Sequence, residues 1–361
     1  MSWLVTGGAG YIGAHVVKAM TADGMDVVVL DDLSTGDATR VTGAPLITGT
    51  IRDRGLVRAV MREHAVDGVM HIAAKKQVGQ SVSDPLLYYR ENVGGLVSVL
   101  EACQSQGVDN FVFSSSAATY GMPDVDLVDE ATPCVPLSPY GESKVVGEWL
   151  VRDCATWGLS AICLRYFNVA GAAAADLGDP GANNLIPLTF QALTPGRRPV
   201  VFGTDYPTPD GTCIRDYVHV ADIADAHLAA VRALQAGAPG ATYNVGRGLG
   251  ASVLEVLRVI GEVTGADVTY DVLARRPGDP ARVVACAEKI RYELGFCATR
   301  DLRTMIESAW AGWKHTIEVR GGAQPQPAGP SIATHSVRRI PQYASAAARV
   351  MTAVARRTSR S

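Results

Sequence analysis

Two short runs of this 361-residue chain carry residue types at spacings suited to chemistry. The first is Val5-Thr6-Gly7-Gly8-Ala9-Gly10-Tyr11-Ile12-Gly13, close to the start, and the second is Ser138-Pro139-Tyr140-Gly141-Glu142-Ser143-Lys144. Gly8, Gly10 and Gly13 satisfy G-x-G-x-x-G, and Gly7 adds the wider G-x-x-G-x-x-G spacing. Missing β-carbons let a backbone turn sharply, approach a pyrophosphate closely and aim the first amides of a helix at its charge. In the second run, Tyr140 and Lys144 stand four residues apart, so on a helix they share one face and can meet in one pocket. That pairing suits proton transfer.

Each run needs particular elements around it. The apolar residues 3–5 read as a strand and 11–22 as a helix, so the glycines occupy a strand-to-helix turn. Ser138 is a good N-cap and Pro139 a good first-turn residue, which starts the second helix just before Tyr140. Strand-like runs at 3–5, 27–30, 46–47, 69–72, 111–113 and 162–166 alternate with amphipathic segments. This predicts a Rossmann-like α/β fold, a doubly wound parallel sheet, over residues 1–169. The stretch 170–184 is rich in Ala, Gly, Pro and Asn and leaves that sheet. Residues 170–320 then read as a smaller mixed α/β substrate-binding lobe, with segments returning to the main domain, among them a helix over 221–234.

Asp31 ends the second strand about 20 residues beyond the glycine turn, where a carboxylate can accept from both hydroxyls of an adenosine ribose. With Asp32 beside it, a 2′-phosphate would be repelled, which selects NAD over NADP. A tyrosine phenol of pKa about 10 needs roughly 4 kcal/mol of differential stabilisation to serve as a base near neutrality. A lysine ammonium ~5 Å away supplies roughly 3 kcal/mol at an effective dielectric near 20, and the positive nicotinamide ring would add to it. Ser114-Ser115-Ser116 follows the strand 111–113, so one of these hydroxyls should emerge near the tyrosine.

Composition narrows the classes further. The formal charge is -3, but residues 323–361 carry six arginines and no acid, so the body is acidic and the end basic. Nothing there suggests a nucleic-acid partner. The seven cysteines are scattered and never in C-x-x-C spacing, which argues against a zinc site or a disulfide framework. No apolar stretch approaches the ~20 residues of a membrane span and no signal peptide is evident, so a cytoplasmic protein is expected. Residues 321–361 read as a basic, disordered tail behind a Gly/Pro-rich linker, in which 343–357 could form a short helix.

These residues resemble the extended short-chain dehydrogenase/reductase family, and within it the UDP-sugar 4-epimerases, from about residue 2 to 318. The resemblance includes Asp31-Asp32-Leu33-Ser34-Thr35-Gly36, Leu164-Arg165-Tyr166-Phe167-Asn168, Asn183-Asn184-Leu185, Phe202-Gly203-Thr204-Asp205-Tyr206, Arg215-Asp216-Tyr217 and Arg275-Arg276-Pro277-Gly278-Asp279. It implies an NAD-dependent enzyme that interconverts UDP-galactose and UDP-glucose through a 4-keto intermediate, working as a homodimer. Tyr140 would be the acid and base, Ser116 would bond the sugar 4-hydroxyl, and Lys144 would tune the tyrosine. The cofactor set it implies is Gly7, Gly10, Tyr11, Ile12, Gly13, Asp31, Asp32, Leu33, Ser34, Thr35, Gly36, Thr50, Ile51, Ala73, Lys76 and Phe167, with Tyr140 and Lys144. The UDP-sugar set is Asn168, Asn184, Leu185, Val200, Phe202, Arg215, Tyr217, Arg276, Asp279 and Val283, with Ser116 and Tyr140. Val283 takes the place of a bulky aromatic that borders the sugar's 2-substituent in such enzymes, so N-acetylated sugars should also fit.

Three positions depart from the family pattern. Thr50 replaces an acidic residue beside the adenine, Glu91-Asn92-Val93 replaces Asn-Asn-Val, and Ala285-Cys286 replaces Ala-Asp. They imply a diverged member that keeps its catalytic set. UDP-N-acetylhexosamine, UDP-xylose/arabinose and UDP-glucuronate stay open as alternative substrates. A 4,6-dehydratase would need an Asp-Glu pair where Ala117-Ala118 stands, and a non-catalytic NAD-binding protein would not need Tyr140.

Overall fold

The computed structural model describes residues 1–319 and Gly321, apart from Pro180, Ala182, Asn183 and Pro277. Its strands are β1 (Ser2–Thr6), β2 (Asp26–Asp31), β3 (Leu46–Thr48), β4 (Val66–His71), β5 (Asn110–Ser116), β6 (Ser160–Tyr166), β7 (Asn168–Ala170), β8 (Val200–Phe202), β9 (Ile214–His219), β10 (Ala241–Val245), β11 (Gly250–Ser252), β12 (Asp271–Leu273) and β13 (Arg282–Val283). The α-helices are α1 (Tyr11–Ala22), α2 (Arg54–Glu63), α3 (Val78–Ser83), α4 (Pro85–Tyr88), α5 (Gly95–Gln106), α6 (Pro139–Asp153), α7 (Leu185–Leu193), α8 (Val220–Gln235), α9 (Val253–Thr264), α10 (Glu288–Leu294) and α11 (Leu302–Val319).

Seven strands form one parallel sheet in the order β10-β6-β5-β4-β1-β2-β3. The order reverses at β1, so a crevice opens beyond the carboxyl ends of β1 and β4, where ligands of doubly wound sheets bind. Alternation along the strands divides the core. Trp3 and Val5 join Val29, Met70 and Val112 under α1 and α8, while Leu4 joins Val28, Val69 and Phe111 on the opposite face. Burial on both faces explains why these strands read as nearly continuous apolar runs.

The anticipated helix over 11–22 coincides with α1, and the helix over 221–234 is α8. The anticipated strands are each found, five of them extended by one to a few residues, while the strand expected over 69–72 begins earlier and ends at His71. Strand β10 was not anticipated: its sequence Ala-Thr-Tyr-Asn-Val carries too short an apolar pattern, and it gains its place by pairing with β6. Two smaller sheets, β11-β9-β13 with β7 on β9, and β12 with β8, frame a separate core of Phe190, Tyr217, Val256, Ile260, Met305 and Trp313. The described residues all belong to one compact unit. The expected tail, including the helix over 343–357, lies outside the described residues except for Gly321. Among the described residues no helix is long and apolar enough to cross a membrane.

Candidate active site

The glycine turn joins β1 to α1. Gly7 has φ +73°, and a β-carbon there would lie 2.7 Å from the backbone of Ala73, the segment leaving β4. At Gly13 a β-carbon would stand 2.1 Å from the Gly7 carbonyl oxygen. The turn thus closes on itself, with the Gly10 N–H donating to the Gly7 carbonyl at 3.2 Å and no side chain capping α1. Its first amides, beginning at Tyr11 and Ile12, are left for an anion.

Asp31 is buried at the end of β2, with its two oxygens accepting from the N–H groups of Ala9 (2.9 Å) and Leu33 (2.8 Å). Burial raises its pKa, against those two donors, and each oxygen keeps a lone pair for a ribose hydroxyl. Leu33 holds a left-handed φ of 56°, which turns the chain past that carboxylate. Asp32, Ser34 and Thr35 are exposed beyond it, and Gly36 packs on Ala9. Burial acts against ionisation of Asp32, but hydrogen bonds from Ser34 and the charges of Lys75 and Arg52 outweigh it and lower its pKa. Thr50 is half-buried and accepts from the Arg52 N–H at 3.3 Å, beside buried Ile51. The divergent Glu91 pairs with Arg52 at 3.3 Å, so the replaced residue is tied into this end of the crevice. Lys76 places its Nζ 5.7 Å from the centre of the Tyr11 ring. The donors and small residues fit a dinucleotide, with Gly7, Gly10 and Gly13 under the pyrophosphate and Asp31 at the ribose.

The reactive groups converge on the end of β5. Ser138 caps α6, its Oγ accepting from the Gly141 N–H at 3.2 Å, and Pro139 opens the first turn. Lys144 is buried, donates to the Ser114 carbonyl at 2.7 Å, and lies 6.0 Å from the centre of the Tyr140 ring. Ser116 stands near enough to the Tyr140 phenol to favour its ionised form. Burial pushes Lys144 down to about 8, with Glu148 pulling the other way. The Tyr140 phenol is raised by burial, opposed by Ser116. This differs from the depression expected from Lys144, because desolvation of the phenol dominates.

On the lobe side, Arg215 on β9 forms an ion pair with Asp279 and donates to the Ile214 carbonyl at 2.8 Å. Arg276 stacks its guanidinium 3.9 Å from the centre of the Phe202 ring, on β8, whose first residue Val200 is exposed. Asn168 is exposed and pairs with Tyr217 in the β7–β9 ladder, while Tyr217 itself is buried. Asn184 is exposed at the N-terminus of α7, followed by half-buried Leu185. Val283 and Phe167 are both buried in one cluster with Tyr120, Val128 and Ala285, and Arg282 turns away to donate to the Asp126 carbonyl at 3.1 Å.

Several residues around this centre were not singled out from the sequence. Glu148, one turn beyond Lys144, pairs with Arg165 through bonds of 2.8 and 2.6 Å and accepts from Ser115 at 2.5 Å. Arg165 extends the network to Tyr120 (2.7 Å), and Tyr120 donates to Asn244 (2.7 Å). Asn92 braces the Lys75 backbone at 2.8 and 3.0 Å and bonds Ser143 at 3.0 Å. The one available signal was the spacing of Glu148 from Lys144.

A model of the NAD dependent epimerase/dehydratase family matches residues 3–246. The chain is 46% identical over 333 residues to a UDP-glucose 4-epimerase of Azospirillum brasilense, covering 90% of this chain and 95% of that one. It superposes on the UDP-glucose 4-epimerase of Brucella ovis in complex with NAD with a TM-score of 0.83 at 41% identity, covering 86% of this chain and 98% of that one. It is also similar to the UDP-glucose 4-epimerase of Stenotrophomonas with bound NAD and formylated UDP-arabinopyranose, with a TM-score of 0.84, 40% identity and coverage of 89% and 99%. With its sheet order, its glycine cradle and its Tyr-Lys pair, the chain belongs to the NAD-dependent epimerase/dehydratase family.

Proposed function

We propose that this chain is an NAD-dependent 4-epimerase that interconverts UDP-galactose and UDP-glucose. The observation that carries the reading is the meeting of Ser116, Tyr140 and Lys144 at the end of β5, beside the glycine turn. Tyr140 takes the proton of the sugar C4 hydroxyl, which Ser116 holds, while Lys144 keeps a positive charge against the phenol. NAD, when bound, supplies the hydride acceptor that takes hydrogen from C4 and then returns it, so it is regenerated in each turnover. The 4-keto sugar turns about its UDP anchor, and Tyr140 returns the proton to the oxygen once the opposite face is presented. Residues 1–169 serve the cofactor and 170–320 the sugar nucleotide, with β10 and α8 returning to the main sheet.

The cofactor residues are Gly7, Gly10, Tyr11, Ile12, Gly13, Asp31 to Gly36, Thr50, Ile51, Ala73, Lys76 and Phe167. Arg215 and Arg276 are planar, permanently charged donors suited to a diphosphate, and Phe202 offers a flat face to a base. Asn168, Asn184, Leu185, Val200, Tyr217, Asp279 and Val283 complete the sugar-nucleotide side. Exposed apolar side chains on mutually packed helices, Val78 and Val82 on α3, Leu86 on α4 and Trp149 on α6, support a homodimer formed through this face. The seven free cysteines suit a reducing cytoplasm.

The test is Tyr140→Phe. Turnover of UDP-galactose should fall about a thousandfold with the melting temperature nearly unchanged, as loss of a positioned acid-base group predicts. Wild-type turnover should accumulate no stoichiometric NADH; wild-type rates in the variant, or steady NADH production, would count against the reading.

A further inference from the structure

The side chains of α1 reach across to the segment that follows β7. The Tyr11 hydroxyl donates to the Gly171 carbonyl at 2.5 Å, and one turn further on His15 Nε2 lies 3.0 Å from the Ala173 N–H. Between these two contacts the Ala172 N–H donates to Ser308 Oγ, on α11, at 3.2 Å. Arg40, from the loop between β2 and β3, holds the far end by donating to the Leu177 and Gly178 carbonyls at 3.0 and 2.9 Å. Backbone groups of residues 171–178 are thus satisfied by side chains from three other elements. Tyr11, His15 and Arg40 are all buried. Gly171 takes φ +89°, and a β-carbon there would stand 2.6 Å from His219 Nε2, so only glycine lets the chain pass.

The polarity of both histidines follows from their partners. His15 Nδ1 lies 2.8 Å from the Tyr11 carbonyl, which only accepts, so Nδ1 carries the ring proton. Its Nε2 faces an amide that only donates, so Nε2 keeps a lone pair and the ring is neutral. At the end of β9, His219 Nδ1 accepts from the Ala221 N–H at 2.9 Å, which leaves Nε2 to donate to Ser308 Oγ at 3.0 Å. Ser308 accepts from His219 and Ala172 and gives its own proton to the Thr304 carbonyl at 2.8 Å. Burial holds both imidazoles at about 4, in keeping with these neutral forms.

The segment held in this way begins immediately after β7. That strand carries Asn168 and pairs with β9, Asn168 opposite Tyr217 and Ala170 opposite His219, and β9 also carries Arg215. At its other end the clasp stands on α1, whose first amides are left for a pyrophosphate. We propose that His15 and Ser308 are positioning residues for sugar-nucleotide binding: by accepting from the Ala173 and Ala172 amides they fix the end of β7 against the cofactor helix, and so set Asn168 and Arg215 relative to the dinucleotide. The proposal rests on the reading of Asn168 and Arg215 as groups that hold the sugar nucleotide.

The test compares His15→Asn, His15→Gln and Ser308→Ala as holoenzymes. The readouts are NAD content, melting temperature, Kd for UDP by calorimetry, and kcat and KM for UDP-galactose. His15→Asn can still donate to the Tyr11 carbonyl but is too short to reach Ala173. Its Kd for UDP and KM should rise about fivefold, with kcat within about twofold and NAD content unchanged. His15→Gln places an oxygen near the Nε2 position and should stay within about twofold of wild type. Ser308→Ala should raise both constants about threefold. A merely structural histidine would lower the melting temperature without moving UDP affinity. The proposal is overturned by wild-type UDP affinity in both His15→Asn and Ser308→Ala, or by equal losses in the Asn and Gln variants. It is also overturned by loss of NAD with UDP affinity retained, which would assign His15 to the cofactor cradle alone. If His15→Asn does not fold, Ser308→Ala decides: unchanged affinity overturns the proposal, and a threefold loss at the wild-type melting temperature supports it. UDP binding is read apart from turnover, so a chain that shows these shifts yet leaves UDP-galactose unconverted would sink the epimerase reading and support the positioning role.

Discussion

The two sides of the crevice are built by different means. The side proposed for the dinucleotide is mostly backbone: Gly7, Gly13, Ala73 and the amides at the start of α1 are locked by contacts between main-chain atoms, with Asp31 as the fixed carboxylate. The side proposed for the sugar nucleotide is mostly side chain: Arg215, Arg276, Phe202 and Asn184 come from separate strands and loops, and the ion pair of Arg215 with Asp279 joins residues 64 apart. Damage on the first side should therefore spread through the fold, while damage on the second should stay in binding. Between them, the end of β5 combines both, since a backbone carbonyl and buried charges hold Lys144.

The largest effect is expected where buried charges meet. The side chains of Glu148 and Arg165 are 9% and 7% exposed, so removing one leaves the other charged in the interior. Glu148→Ala should cost roughly 3–5 kcal/mol of stability, measured by denaturant unfolding. Arg165→Met combined with Glu148→Leu should recover much of that loss; if the double replacement is as unstable as the single, the charge argument fails.

On the sugar side, Arg215→Ala should raise KM for UDP-galactose about 10- to 100-fold while leaving kcat within about threefold, the size of lost charge-assisted hydrogen bonds. A fall in kcat with KM unchanged would place Arg215 with the reacting atoms instead. On the dinucleotide side, Gly13→Ala forces a carbon to 2.1 Å from the Gly7 oxygen, and α1 must shift. Overpacking of this kind costs roughly 1–3 kcal/mol, and NAD should no longer copurify. Unchanged cofactor content would show that the turn can open.

Lys144 supplies a pH test of the centre. Its pKa in the fold, about 8, lies below the ordinary 10.5 because burial disfavours the ammonium. The unfolded chain then binds this proton more tightly than the fold does between those two values, so this group makes stability rise with pH across that window. Activity runs the other way, since the charge facing Tyr140 is lost as pH climbs past about 8. A falling basic limb of kcat/KM near that pH is expected, and Glu148→Gln should move it lower because Glu148 supports the ammonium. A limb that stays in place in that variant would assign it to another group.

What could be read from the sequence follows the same division. The glycine turn, Asp31, the Ser138 cap and the Tyr140-Lys144 pair depend on spacings within one turn or one strand-turn-helix unit, and local spacing is what a sequence displays. The resemblance brought in Arg215, Arg276 and Asp279; by their own chemistry the two arginines suggested only a diphosphate, and Asp279 carried no signal of its own. Strand β10 and the Glu148–Arg165 pair depend on elements that only the folded sheet and its packed helices bring together. The raised Tyr140 phenol was missed for a related reason: charge can be counted in a sequence, whereas desolvation depends on everything packed around the ring.

The smallest expected effect concerns which sugars fit. Val283 is 8% exposed and shares its cluster with Tyr120, Phe167 and Ala285, on β13 where that strand pairs with β9 beside Arg215. The neighbouring Arg282 is held by the Asp126 carbonyl. A wall of valine leaves more room than one of tyrosine, and wild-type protein should turn over UDP-N-acetylglucosamine or UDP-N-acetylgalactosamine beside the unacetylated pair. Val283→Tyr should cut kcat/KM on the acetylated sugars about tenfold relative to UDP-galactose, within the ~1–3 kcal/mol that a contact of this kind can discriminate. The variant's melting temperature decides between two sites for the new ring. A drop expected of an overfilled core, with both sugars affected equally, would mean that Val283 only packs against Phe167 and Tyr120; a stable variant with a changed ratio would place position 283 at the sugar.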